Sequence, residues 1–406
     1  MREILFDPER DHCPGARPVV SFTTSDDEDY ARACQDRARA EIELRRRGRR
    51  HGCFVELEPA GLVRSIPRKR RVVQWAMRWN AAKPIVRHGL IEEDVQSAGV
   101  KALVRLRKRL AKPNGLASWL DERSQDLAPR FEVRDKQKLI DAERDLCKVG
   151  VACGSVDDLW LKTGQLSTFT ADESTRLRFS FGLEGPDDAS QDEERHALVR
   201  ELFEQAMSGG TLIRHPELLA ETEKMVGGPV AFTQPIVYWN APEGGALFHH
   251  DAFDGPAEQQ QAGVLYAQLE GRTAWLALSI GDLALRVREF LDGLADEDRG
   301  LAKALAVDEL APIAADWGAL VRELGEPGQG RFGALVNRGP EFTAFLADSG
   351  HAAILGPGDV IWLPNHGLDR TAMHSVFCAS PRVATGLSLA VRRSPAAQSS
   401  ETPTQD

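Results

Sequence analysis

A histidine and an aspartate two residues apart, with a third ligand-type residue far downstream, most constrain how this chain can fold. The pair lies in Ala246-Leu247-Phe248-His249-His250-Asp251-Ala252-Phe253-Asp254. On a β-strand, residues i and i+2 share a face, so His249 and Asp251 aim one imidazole and one carboxylate at a common point. His374 stands 123 positions beyond Asp251, in Thr371-Ala372-Met373-His374-Ser375-Val376. Two imidazoles and one carboxylate on one face of a metal, with positions open opposite, are the ligand set of non-haem Fe(II) centres. For these three side chains to meet, strands distant in sequence must reach one mouth, as they do in a jelly-roll barrel. Neighbouring residues compete for the same roles: His250 for His249, Asp254 for Asp251 and His366 for His374.

The rest of the chain supplies such a scaffold in its second half. Residues 176–182 alternate as a strand does, 184–190 form an acidic, turn-rich loop, and 193–207 and 218–225 have helical spacing. Strand-like runs follow at 230–239, 262–269 and 272–278, with Gly271 as a turn. A helical interval at 282–345, punctuated by Pro312, Pro327 and Pro340, interrupts them. Strands return at 352–355, 359–363, 373–379 and 383–391, and the Ser-, Pro- and Gln-rich end after Ser394 reads as disordered. Short strands at regular spacing predict a barrel or sandwich. Both the helical interval and the acidic loop at Asp187-Asp188 are candidate lids.

The first part differs in texture. Apolar spacing predicts helices at 72–79 and 92–110, the latter stopped by Pro113-Asn114-Gly115, with helical character continuing at 116–127 and 135–149. The expected division is a mainly helical, basic domain at 1–165, a catalytic β-barrel domain at 166–394 with its helical insertion at about 280–350, and a tail at 395–406. Residues 31–115 hold about 22 Lys and Arg against about 8 Asp and Glu, in a chain of net charge −10. That asymmetry suits either an anionic partner or packing against the acidic remainder. Only Trp75 and Trp79 stand near the basic runs, so a nucleic-acid stacking surface is not favoured. The start of the chain has no apolar core of signal-peptide length, and no apolar run is long enough to span a membrane, which predicts a cytoplasmic protein. The six cysteines form no C-x-x-C pair, which argues against a zinc knuckle.

Gly358-Asp359-Val360-Ile361-Trp362-Leu363-Pro364, followed by Met373-His374-Ser375-Val376, resembles the last ligand strand of JmjC-type, cupin-fold 2-oxoglutarate oxygenases. The run 265–276, with Gly271 at its centre, is similar to the strand–Gly–strand hairpin that follows their first ligands. The resemblance covers roughly residues 229–393 and implies an α+β protein with a C-terminal double-stranded β-helix. It implies His249, Asp251 and His374 as the metal ligands of Fe(II), with 2-oxoglutarate as co-substrate. Hydroxylation of an amino-acid, peptide or protein side chain is the implied reaction, and a homodimer the implied assembly. Thr273 stands where many relatives place a lysine against the distal carboxylate of 2-oxoglutarate, with Gln268 nearby. Arg382, followed by Thr385, resembles the Arg-x-Ser element of other members and is the expected carboxylate anchor. Tyr238 and Asn240 could face the pocket, and Arg176 and Arg178 could hold a substrate carboxylate. Two other readings compete: a cupin metalloenzyme that does not use 2-oxoglutarate, and a binding protein acting through its basic first domain.

Overall fold

A computed structural model describes residues 68–113, 115–123, 131–137, 143–151, 159–165, 173–181, 196–197, 199–200, 203–204, 211–242, 244–252, 261–297, 307–326, 331–338 and 340–394. The loop at 184–190, with Asp187 and Asp188, the runs before residue 68, Asp254 and the tail lie outside them.

Thirteen strands are present among the described residues. They are β1 (Ile85–Arg87), β2 (Phe131–Gln137), β3 (Glu143–Val151), β4 (Leu159–Gln165), β5 (Thr175–Phe181), β6 (Val230–Asn240) and β7 (Gly245–His249), then β8 (Gly263–Glu270), β9 (Thr273–Ser279), β10 (Ala352–Leu355), β11 (Val360–Pro364), β12 (Ala372–Cys378) and β13 (Ala384–Arg393). They pair antiparallel in two sheets. The larger runs β1-β11-β8-β13-β6-β5-β4-β3-β2, and the smaller runs β10-β9-β12-β7. The molecule is therefore an α+β protein in which strands from opposite ends of the chain lie side by side.

Alternation along the strands divides the core into layers. In β8, Leu265, Ala267 and Leu269 face outward, while Tyr266 faces the other sheet. In β11, Val360 and Trp362 face out and Ile361 and Leu363 face in. The outward set packs under α1 (Arg68–Asn80), α2 (Glu93–Leu110) and α4 (Pro216–Val226), through Trp75, Trp79, Leu103, Leu106, Leu218 and Met225. A shorter helix, α3 (Gly115–Arg123), follows α2. Both faces of β9 are buried: Trp275 and Ala277 look between the sheets, and Leu276 and Leu278 look out. That second outer face is covered by the helical insertion, α5 (Ile280–Glu297), α6 (Val307–Ala315), α7 (Trp317–Gly325), α8 (Gly333–Arg338) and α9 (Pro340–Asp348). Strands buried on both faces explain the near-continuous apolar runs of the sequence.

Local chemistry sets the element ends. His215 caps α4 by accepting from the Leu218 N–H, Pro216 starts the helix, and Gly227 closes it at φ 81°. Asp316 accepts from the Ala319 N–H at 3.1 Å and starts α7. Asp359 ties the turn after β1 to the turn before β11: its carboxylate accepts from the Gly89 and Gly356 N–H groups at 2.8 and 2.7 Å, and His88 lies 3.0 Å away.

Two expectations are corrected. The helical reading of 135–149 gives way to strands β2 and β3, which pair with each other and, through β3, with β4. Phe131-Glu132-Val133-Arg134 and Cys147-Lys148-Val149 alternate apolar with charged residues, and sheet pairing overrides the helix propensity of the intervening Lys, Leu and Glu. The boundary near 165 is also absent from the sheet: β4 and β5 pair along their whole length, and β5 pairs onward with β6.

Candidate metal centre and its pocket

His249 is the last residue of β7, and His374 lies opposite it in the β12–β7 register. Asp251 follows two residues after His249, just past the strand end. One ligand atom from each of the three lies within 4.8 Å of the other two. The imidazole rings sit 4.2 Å apart, and His374 Nε2 lies 3.7 Å from Asp251 Oδ2.

The orientation of both rings is fixed from behind. His249 Nδ1 donates to the Leu247 carbonyl at 2.7 Å, and His374 Nδ1 donates to the Ala372 carbonyl at 3.4 Å. A carbonyl only accepts, so Nδ1 carries a proton in each, which leaves Nε2 as the nitrogen available to the centre. Burial, then the neighbouring His249, pushes the His374 imidazole down to about 3, against a smaller opposing effect of Asp251. His374 is thus an unprotonated donor at neutral pH. Trp275 stacks on it at 5.8 Å and 26°. Gln261 Nε2 donates to the Asp251 carbonyl at 2.6 Å and holds the turn after β7. Two imidazoles and a carboxylate converging beside an open pocket fit a first-row divalent cation with oxygen and nitrogen preference.

The competing residues lie elsewhere. His250 accepts from the Ala252 N–H through Nδ1 and has a backbone hydrogen bond to Gly325 of α7, which turns it toward the insertion. His366 Nε2 bonds the Trp79 carbonyl at 2.7 Å on the opposite side of the large sheet.

A cavity of about 400 Å³ opens onto the three residues. Tyr238, Asn240, Gln261, Tyr266, Trp275, Asn337 and Ser388 line it, together with Arg176 and Arg178 from β5. Burial raises the Tyr238 phenol, with the Asp251 carboxylate adding to the rise and the charges of Arg176 and Arg178 opposing it.

The expected co-substrate contacts of Gln268, Thr273 and Arg382 are not where the sequence reading put them, and none of the three lines this cavity. Thr273 pairs with Cys378, whereas His374 pairs with Ala277, so Thr273 stands four residues along β9 from the ligand level. Four residues of strand are about 13 Å. Trp275 fills the space between. Thr273 Oγ1 donates to Gln268 Oε1 at 2.6 Å and accepts from Trp275 Nε1 at 2.8 Å. Tyr266 also donates to Gln268 Oε1, at 3.2 Å, while Gln268 Nε2 donates to the Glu270 and Thr385 carbonyls. The two residues form a closed polar network behind the aromatic wall. Arg382 is exposed in the β12–β13 turn and borders a different cavity with Arg107 and Glu270.

Asn337, in α8, is a site residue that the sequence did not signal. Its Oδ1 accepts from the Phe248 N–H at 3.0 Å, one residue before His249, across 89 positions of chain. Tyr266 and Trp275 stood inside the recognised hairpin, and their aromatic character was the available signal.

No protein-family profile matches the chain, and no curated protein sequence does. Among solved structures, the non-heme alpha ketoglutarate dependent carbocyclase SnoK from nogalamycin biosynthesis aligns over 82% of this chain and 85% of its own, at 12% identity and TM-score 0.35. The epimerase SnoN, solved with Fe3+, alpha ketoglutarate and nogalamycin RO, aligns over 83% and 92% at 14% identity and TM-score 0.32. AviO1 from Streptomyces viridochromogenes Tue57 aligns over 78% and 94% at 12% identity and TM-score 0.30.

Proposed function

We propose that this chain is a non-haem Fe(II) and 2-oxoglutarate-dependent oxygenase that hydroxylates an amino-acid, peptide or protein side chain. One observation carries the reading: two back-anchored imidazoles and a carboxylate converge where a cavity of about 400 Å³ opens between two sheets. The strand order supports a double-stranded β-helix as the scaffold. From β6 to β13, strands β6, β8, β11 and β13 fall in the large sheet, and β7, β9, β10 and β12 in the small one.

In this reading His249, Asp251 and His374 would hold the cation. Bound there with 2-oxoglutarate and O2, iron would supply the oxidising power for hydroxylation. The chain's own task is placement. Trp275 and Tyr266 form an apolar wall that keeps water from the His374 side. Asn337 and Gln261 fix the backbone on either side of the His249–Asp251 pair. A carboxylate occupying the third ligand position favours hydroxylation over halogenation, which needs that position for halide.

The test is anaerobic loading with Fe(II), then turnover with 2-oxoglutarate and O2. About one metal per chain is expected, with 2-oxoglutarate-dependent release of succinate. Asp251→Ala and His374→Ala are expected to lose both. A chain that binds no divalent metal at this site overturns the proposal. A second reading is a cupin metalloenzyme that opens its own substrate without 2-oxoglutarate. The position of Gln268, Thr273 and Arg382 outside the cavity favours it. Metal binding without 2-oxoglutarate binding or succinate release would select it.

A further inference from the structure

We infer that Arg176 and Arg178 form a carboxylate-binding subsite in the metal pocket, supplied by a strand that precedes the set β6 to β13 around the proposed ligands. Both lie on β5 with i, i+2 spacing, so they share a face, and both line the cavity with His249, Asp251 and His374. In register Arg176 is opposite Tyr238 and Arg178 opposite Ile236, and both of those partners line the same cavity. Among the described residues lining it, these two guanidinium groups are the only permanent cations. The remaining polar groups beside the metal triad are neutral: Gln234, Tyr238, Asn240, Gln261, Asn337 and Ser388, with Tyr266 in the aromatic wall.

A guanidinium presents a planar fork of donors that matches a carboxylate. Two of them line one cavity with the imidazoles and carboxylate of the triad, so a ligand carboxylate directed at β5 meets two such forks beside the proposed metal position. The two sources are the distal carboxylate of the 2-oxo acid co-substrate and a carboxylate of the primary substrate. Assigning the first source rests on the reading of the triad as an Fe(II) and 2-oxoglutarate centre; the subsite itself does not.

The experiment uses full-length protein loaded with redox-inert Zn(II) and titrated calorimetrically with 2-oxoglutarate and with 2-oxopentanoate. The second acid keeps the chelating 2-oxo carboxylate and replaces the distal carboxylate by a methyl group. Benzoate and phenylacetate are then titrated into the protein saturated with 2-oxoglutarate, or into the zinc protein alone if that acid does not bind. Charge-assisted hydrogen bonds predict a wild-type preference for 2-oxoglutarate of roughly 10- to 100-fold if the co-substrate is the source. In the Arg176→Gln/Arg178→Gln variant that preference collapses while affinity for 2-oxopentanoate stays at the wild-type value. If the preference survives but binding of the aromatic acids is lost, the subsite stands and holds the primary substrate. If the variant keeps both, or wild type binds none of the four acids, the inference is overturned. Wild type that binds neither 2-oxo acid but does bind an aromatic acid counts against the 2-oxoglutarate reading alone. Arg176→Lys/Arg178→Lys, with thermal melting of all variants, separates lost charge from lost fold: the lysine pair is expected to restore part of the binding.

Discussion

Gly386 has no side chain because Tyr266 lies where one would be: a Cβ placed there would meet the phenol oxygen at 1.9 Å. The ring it admits packs on Trp275 at 4.9 Å, and Trp275 in turn stacks on His374. Gly386→Ala is therefore expected to push Tyr266 off this wall, at about 1–3 kcal/mol of overpacking. A lowered melting temperature together with altered tryptophan fluorescence would register it; an unchanged spectrum would contradict it. Thr273→Val should act from the other side of the same wall. It removes the acceptor of Trp275 Nε1 and one of the two donors to Gln268 Oε1, so the buried indole N–H loses this partner at a cost of about 1–3 kcal/mol. Denaturant unfolding measures it, and metal affinity is expected to fall less than stability. The convergence of His249, Asp251 and His374 was legible in the sequence because strand geometry makes His249 and Asp251 share a face. The surroundings of the three residues expected near a co-substrate were not. Gln268, Thr273 and Arg382 were placed by likeness of motif, and only the cross-strand register shows that Thr273 sits four residues from the His374 level.

The helical insertion acts as a brace for β7 as well as a cover for the small sheet. Its helices bury the outer face of the small sheet through Leu276, Leu278 and Met373, and α8 sends Asn337 through to the Phe248 N–H. Asn337→Ala would leave that buried N–H without its acceptor, about 1–3 kcal/mol, one residue from a ligand. Chelator competition is expected to show weaker metal binding at unchanged stoichiometry; unchanged affinity would mean β7 holds its shape unaided. Replacing residues 280–350 by a short linker should expose the apolar outer face of β9 and β12 and give dye-binding, aggregating protein. At this scale the strands after residue 229 could be read directly, since apolar runs bounded by turns are distinctive. The strands β2 and β3 could not, because Lys, Glu and Leu favour helices in isolation and the deciding pairing partner, β4, is a tertiary fact.

For the whole molecule, acid sensitivity has a specific origin at His351. Burial, then the nearby Arg286, pushes its imidazole down to about 4, and Nε2 faces Arg286 Nε at 3.3 Å. The unfolded chain takes up that proton near the ordinary value of 6.5. Between those values the unfolded state binds more protons, so this stabilisation is complete above about 6.5 and fades as pH falls toward about 4. Unfolding free energies at pH 7 and pH 5 should differ less in His351→Gln than in wild type. The nine-stranded sheet has a further consequence for how the protein can be divided. A chain shortened to begin at residue 182 would keep His249, Asp251 and His374 but shed β5 with both guanidinium groups, and with them the tryptophan-bearing helices that roof β8 and β11. The early segment is thus no detachable appendage: severed there, the remainder is expected to clump rather than persist as a smaller working unit.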